Sequence, residues 1–233
     1  MKICGNRDCE DGSSFSKNLA VRLWGHWCLK AIGTTLFIAI FFAIYFYLLR
    51  NPYFSITQMP LTAVDGSIGF QPYFLYLYLS LWLYVSLAPA LIKTKRELIY
   101  YGLYIGVMCT AGVVIYILFP TTIPQIGINW SHYPEFSALK TMDSSGNAFP
   151  SLHVATAFFS FFWIDRHLKQ MQAHPSLLWL NGLWCFGIVY STMAIKQHVF
   201  LDVVGGVILG GAFAALTLHY HRTHFHSVKN VLN

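Results

Sequence analysis

Two short polar blocks interrupt an otherwise apolar chain: Pro150-Ser151-Leu152-His153, and His198 followed four residues later by Asp202. Residues four apart share one face of a helix, so the Asp202 carboxylate can hold one ring nitrogen of His198 and leave the other free as a nucleophile. His153, on a separate helix, can then protonate a leaving group. That is the minimum set for covalent phosphoryl transfer through a phosphohistidine. Asp202 inside an apolar run is costly without a partner, which favours the pair over an isolated packing histidine. For His153 no acidic neighbour is adjacent in sequence. Ser151 falls at an expected helix start, where a hydroxyl and free backbone amides can receive phosphate oxygens.

The elements that must position these groups are membrane helices. Of the 233 residues, 56% are hydrophobic and 10% charged, against about 25% charged in a soluble domain. Runs of roughly 20 uncharged residues can cross a bilayer. The clearest are Ala31 to Leu49, Gln71 to Ile92, Leu98 to Phe119, Ser176 to Ile195 and Val199 to Leu218. A shorter sixth, about Ala148 to Ile164, holds His153 near its first turn. The expected fold is therefore all-α: a polytopic bundle of six transmembrane helices over residues 26–220, with a leader over 1–25 and a basic, histidine-rich tail over 221–233. The leader contains Asp8, Glu10 and Asp11, unlike a cleavable signal peptide, and is expected to lie partly amphipathic on the inner surface.

Loop charges set an orientation. With the N-terminus inside, the cytoplasmic segments hold Lys2, Arg7, Lys17, Arg22, Lys30, Lys93, Lys95, Arg96, Arg166, Lys169, Arg222 and Lys229, and the opposite face holds Arg50, Lys140 and Lys196. Twelve of the 15 basic residues on one side is a positive-inside pattern. It puts both termini in the cytoplasm and the loops before His153 and His198 on the outer face. The net charge of +6 then forms a collar for anionic headgroups, not a nucleic-acid surface. The five cysteines are expected to be unpaired: Cys4-x4-Cys9 fits no zinc spacing, and the leader faces a reducing compartment. Cys109 and Cys185 sit in apolar helices as small hydrophobes. No repeat suggests an inverted-repeat transporter. The Gly206-x3-Gly210 pair is expected to pack its helix inside the monomer rather than form a dimer. The proline- and glycine-broken connection from Pro120 to Pro150 is the longest outer one, placed to cover the site. His219, His221, His224 and His226 are better read as enrichment at a basic interface than as a metal site.

The blocks Pro150-Ser151-Leu152-His153 and Ser191-Thr192-x5-His198-x3-Asp202 resemble the second and third motifs of the type 2 phosphatidic acid phosphatase (PAP2) superfamily. The leucine, where most of that superfamily has glycine, resembles the branch of the inositol phosphorylceramide synthases. Pro60-Leu61-Thr62 with Asp65, Phe70-Gln71-Pro72 and Phe119-Pro120-Thr121 are similar to bacterial members of that branch. The resemblance covers residues 50–212. It implies a six-helix bundle without metal or other cofactor, acting on phosphate esters or pyrophosphates, often of lipids, in the bacterial inner membrane.

Two departures stand out. The usual first motif is lysine, six residues, then arginine and proline; with Pro120 as the proline, the arginine position is Phe119 and the lysine position Gly112. The usual arginine after the third-motif serine is Thr192. A phosphate dianion in a partly dry site still needs compensating charge. The outer basic residues are Arg50, Lys140 and Lys196, of which Lys196 is closest in sequence to His198; the bland alternative is that it snorkels to the headgroups. Ser151, Ser191 and Thr192 complete the expected phosphate contacts. The leading expectation is a metal-independent phosphatase acting on a lipid phosphate at the outer leaflet, with the bilayer as its environment. A headgroup phosphotransferase and a non-catalytic transporter with a His/Asp proton relay are the alternatives. Substrate identity and oligomeric state are not written in the residues.

Overall fold

The structure is a computed structural model that describes residues 6–125, 127–137, 139 and 146–231, with the backbone alone for 6–14 and 221–231. Its main elements are α1 (Asn6–Trp24), α2 (Trp27–Arg50), β1 (Thr57–Gln58), α3 (Ala63–Ser67), α4 (Leu75–Leu79), α5 (Leu81–Ala90), α6 (Lys95–Leu118), β2 (Thr121–Thr122), α7 (Leu152–Gln170), α8 (Pro175–Ala194) and α9 (Phe200–Val231). Five stretches are long and apolar enough to cross a membrane: Trp27–Arg50, Pro72–Ala90, Lys95–Leu118, Pro175–Ala194 and Phe200–Tyr220. They match the five clearest apolar runs. The second is not one regular helix. A single turn at Ser80 separates α4 from α5; its hydroxyl donates to the Leu77 carbonyl at 2.6 Å and accepts from Trp184 Nε1 at 2.9 Å. The expected sixth span corresponds to α7, which is not among those five. Asp165, Arg166 and Lys169 lower the hydropathy of its last turns.

α7 is the centre of the bundle. It packs on α5, α6, α8 and α9, and Val154, Ala155, Ala157, Phe159 and Trp163 are buried along it. The α7–α9 contact is the closest, because α9 offers glycine there. A Cβ on Gly206 would lie 2.5 Å from the Ser151 carbonyl oxygen, and one on Gly210 would strike the Ala155 carbonyl. The glycine pair therefore packs within the monomer. That approach brings the start of α7 against the start of α9, where the Ser151 N–H donates to the Asp202 carbonyl at 3.0 Å.

The opposite end of the bundle carries its own polar cluster. Arg22 Nη1, near the end of α1, donates to the Leu91 carbonyl at 2.9 Å and lies 3.1 Å from His167 Nδ1. Burial lowers the Arg22 pKa, Glu97 nearby raises it and Arg166 lowers it. Arg166 pairs with Glu97 at 2.7 Å. The Lys30 ammonium donates to the Arg22 and Ala90 carbonyls. The leader thus ends as a helix fastened to the bundle by buried side chains. Cys28 is exposed and Cys109 and Cys185 are buried, all three free; the side chains of Cys4 and Cys9 lie outside the described residues, as do those of His221, His224 and His226. Among the described residues, no three His, Cys, Asp or Glu side chains are grouped to hold a metal ion.

Candidate active site

Asp202 does two jobs at the N-terminus of α9. The first N–H groups of a helix have no partner inside it. Asp202 Oδ2 accepts the Val199 N–H at 3.0 Å, the reach-back half of a capping box. The same oxygen lies 3.5 Å from His198 Nδ1. That is slightly longer than a formed hydrogen bond. His198 Nδ1 and Asp202 Oδ1 are both buried without a hydrogen-bond partner, so a small rotation of the carboxylate satisfies both. Catalytic hydrogen bonds commonly tighten only with substrate bound. Among the described residues, none hydrogen-bonds His198 Nε2.

His153 reaches the same place from the first turn of α7. Its ring centroid is 5.6 Å from that of His198. Tyr78 Oη lies 2.8 Å from His153 Nε2, and Trp82 meets the ring edge-on at 6.0 Å. Tyr78 is buried, held under Phe136 in a cluster with Leu75 and Ile195. Phe136 itself packs on Phe70, Trp130 and Tyr133. The described part of the long connection therefore folds over the histidine end, as its length suggested. Tyr78 was missed from sequence: it sits in a run rich in tyrosines, and nothing local marks the one that faces a histidine.

Asp65 was quoted only as part of a fragment, but it builds the site's frame. Its Oδ1 accepts the Phe200 N–H at 2.7 Å, a second cap for α9. Its Oδ2 accepts the Thr62 N–H at 2.8 Å and the Thr62 hydroxyl at 2.7 Å. Burial pushes the Asp65 carboxyl up, yet those hydrogen bonds and the Lys196 charge outweigh it and hold the pKa below the usual carboxylate value. Lys196 has left-handed backbone, φ 58, and its ammonium donates to the Ile68 and Asp65 carbonyls. The loop before the second span is thereby tied to the α8–α9 turn that carries His198.

The remaining expected phosphate ligands are placed as follows. Ser151 is fully buried, and its hydroxyl caps α7 by accepting the Val154 N–H at 3.2 Å. The Ser191 and Thr192 hydroxyls donate back to the Ile188 and Val189 carbonyls at 2.6 and 2.7 Å. Arg50 is exposed at the end of α2. Lys140 lies outside the described residues. Gln197, beside His198, was not singled out; it is 3% exposed, and its Oε1 and Nε2 both lack partners. Free polar atoms buried beside the paired histidines are what a polar substrate would satisfy.

One departure from the family pattern, Gly112, meets the leucine of the second motif in space. A Cβ on Gly112 would lie 2.6 Å from Leu152 Cδ2. The leucine of the histidine block fills the space above the position where the first-motif lysine would stand. A side chain at position 112 requires the Leu152 side chain to move. Gly112→Lys alone should misfold or lose several-fold in activity through overpacking. Gly112→Lys with Leu152→Gly should recover much of that loss, as measured by thermal stability and turnover of the single and double variants. An additive cycle would show that the two positions do not share this space.

A cavity of about 410 Å³ opens at this centre. His153, His198, Asn147 and Glu135 line the histidine end, and Lys30 is the one lysine or arginine lining it among the described residues. Asn147 has left-handed backbone, φ 49, and its Nδ2 donates to the Tyr45 carbonyl at 3.4 Å.

The family model described as PAP2 superfamily matches residues 98–226, more than half of the chain and both histidine blocks. No curated protein and no solved structure matches it. The paired histidines, the buried carboxylate and this match together place the chain: it belongs to the PAP2 superfamily, whose members are phosphoric monoester hydrolases or phosphotransferases.

Proposed function

We propose that the protein is a metal-independent membrane phosphatase that cleaves a lipid phosphate or pyrophosphate through a phosphohistidine on His198. The observation that carries this is the approach of His153 and His198, with ring centroids 5.6 Å apart over a buried Asp202. In the first step His198 Nε2 attacks phosphorus. The bond to the ester oxygen breaks, and that oxygen takes its proton from His153. In the second step His153 accepts a proton from water, whose oxygen attacks phosphorus and releases His198 and inorganic phosphate. Asp202 holds the Nδ1 proton of His198 and stabilises the ring as it becomes charged. The Leu152 and His153 amides at the start of α7 and the Gln197 amide face developing negative charge, as helix N-termini do for phosphates. Lys196 contributes positive potential while its ammonium holds the Asp65 loop; Arg50 and Lys140 supply charge from the loops.

Purified protein should release inorganic phosphate from alkyl or prenyl phosphates at full rate in excess chelator. Loss of that activity on chelation, restored by a divalent metal, would overturn the mechanism. The aromatic cover of Phe70, Trp130, Tyr133 and Phe136 favours a second reading, in which a water-poor acceptor site delivers the phosphoryl group to an alcohol. Adding alcohols during turnover separates the two: a phosphotransferase forms the phosphate ester in preference to free phosphate.

The bundle would cross the membrane six times, α7 being the sixth span, in the inner membrane of a bacterium. The positive-inside pattern supports cytoplasmic termini with the histidines outside. Cysteines introduced at Ser131 and Ser227 should then react with an impermeant thiol reagent from opposite sides. Labelling of both from one side would exclude this orientation.

A further inference from the structure

The cavity at the histidines is far longer than a phosphate needs. It follows one face of α2 through Lys30, Gly33, Phe37, Phe41, Tyr45 and Phe46. The sixteen residue steps from Lys30 to Phe46, at ~1.5 Å each, give a length of roughly 24 Å. A bilayer's hydrocarbon core is about 30 Å thick, so the groove extends past the midplane. Its lining is mainly aliphatic and aromatic, the surface a hydrocarbon chain contacts. Its walls are the facing sides of α2, α5 and α6, yet α2 is buried only near its ends, at Lys30, Tyr45 and Leu48. Between those ends the protein does not close its own seam.

The distal half is kept open by two glycines. A Cβ on Gly33 of α2 or Gly102 of α6 would meet no atom within 4 Å, although both residues line the groove. Neither glycine is required by helix contact, unlike Gly206 and Gly210 of α9. The floor is Lys30, whose ammonium is tied to the Arg22 and Ala90 carbonyls.

We propose that this groove holds a hydrocarbon chain of the substrate, that it admits a chain long enough to pass the bilayer midplane, and that Gly33 and Gly102 determine the length accepted. This rests on the phosphatase reading above for where the phosphate sits. The groove selects by shape, because a chain leaving the bilayer exchanges one apolar surrounding for another and gains little from burial.

The test uses the full chain in mixed micelles at fixed mole fraction of octyl, dodecyl, hexadecyl and icosyl phosphate, with a parallel prenyl phosphate series to tell a branched chain from a straight one. In Gly33→Phe and Gly102→Leu the ratio of kcat/KM for the longest chain to that for the shortest should fall at least tenfold from wild type. Both substitutions enter open space and raise helix propensity, so folding should be kept. A ratio within twofold of wild type in both variants would overturn the proposal. A second readout does not depend on turnover. An alkyl phosphonate with a photoreactive terminal carbon, which cannot be hydrolysed, should label the peptide around Gly33 or that around Gly102. Labelling there without phosphate release from any ester would keep the groove and reject the phosphatase reading. Labelling confined to the histidine end, or absent, would reject the groove.

Discussion

His198→Ala should abolish both turnover and the covalent phosphoenzyme. If His198 is the nucleophile, it has no substitute: among the described residues His153 is the other imidazole at the centre, and its Nε2 is engaged with Tyr78 Oη at 2.8 Å. Removing the nucleophile of a coupled catalytic unit costs on the order of 10⁴–10⁶ in kcat. The phosphoenzyme should be trapped by rapid acid-free quenching with labelled substrate, where phosphohistidine survives alkali. Asp202→Asn should lose less, up to about 10⁴, because the amide keeps the shape at the α9 N-terminus but no longer favours the charged ring. Phosphoenzyme formation at wild-type rate in His198→Ala would assign the nucleophile elsewhere, and His153 would be the first residue to examine.

His153→Ala should cost about 10²–10⁴ in kcat with an alkyl phosphate, the usual worth of a positioned general acid. Its signature is selectivity for the leaving group. An aryl phosphate with a strongly acidic phenol departs without a proton, so the variant should recover most of the first step on that substrate. The second step still needs a base, and phosphoenzyme should therefore accumulate. Equal losses on alkyl and activated aryl phosphates would mean that His153 orients substrate and does not transfer a proton. Tyr78→Phe offers a graded comparison. It removes one hydrogen bond to His153, worth about 0.5–1.5 kcal/mol, and should lower kcat several-fold with little change in KM.

Helix positions were legible because each apolar run must satisfy its backbone internally in lipid, and length alone then identifies a span. The approach of His198 and Asp202 was legible from their spacing, although its cause differs: His198 lies in the α8–α9 turn, outside α9, and Asp202 reaches back to it while capping that helix. The helix start at Ser151 was legible too; its hydroxyl, expected at phosphate, accepts the Val154 N–H three residues on. All of these are local.

What the sequence left open depends on which helix faces which. Tyr78 and His153 are 75 residues apart, and no spacing rule connects them. Lys196 was expected at the phosphate because it lies two residues from His198; its left-handed backbone turns the ammonium to the Asp65 loop instead. The Gly112 departure and the branch-like Leu152 were unconnected in sequence until the α6–α7 contact joined them. The Gly206 and Gly210 pair marked a close helix contact in sequence, but only packing chose α7 as the partner. Local hydrogen bonding and periodicity thus determined the elements and half of each catalytic pair. Side-chain packing between distant helices decided the other half, because in lipid nothing but fit selects a helix's neighbour.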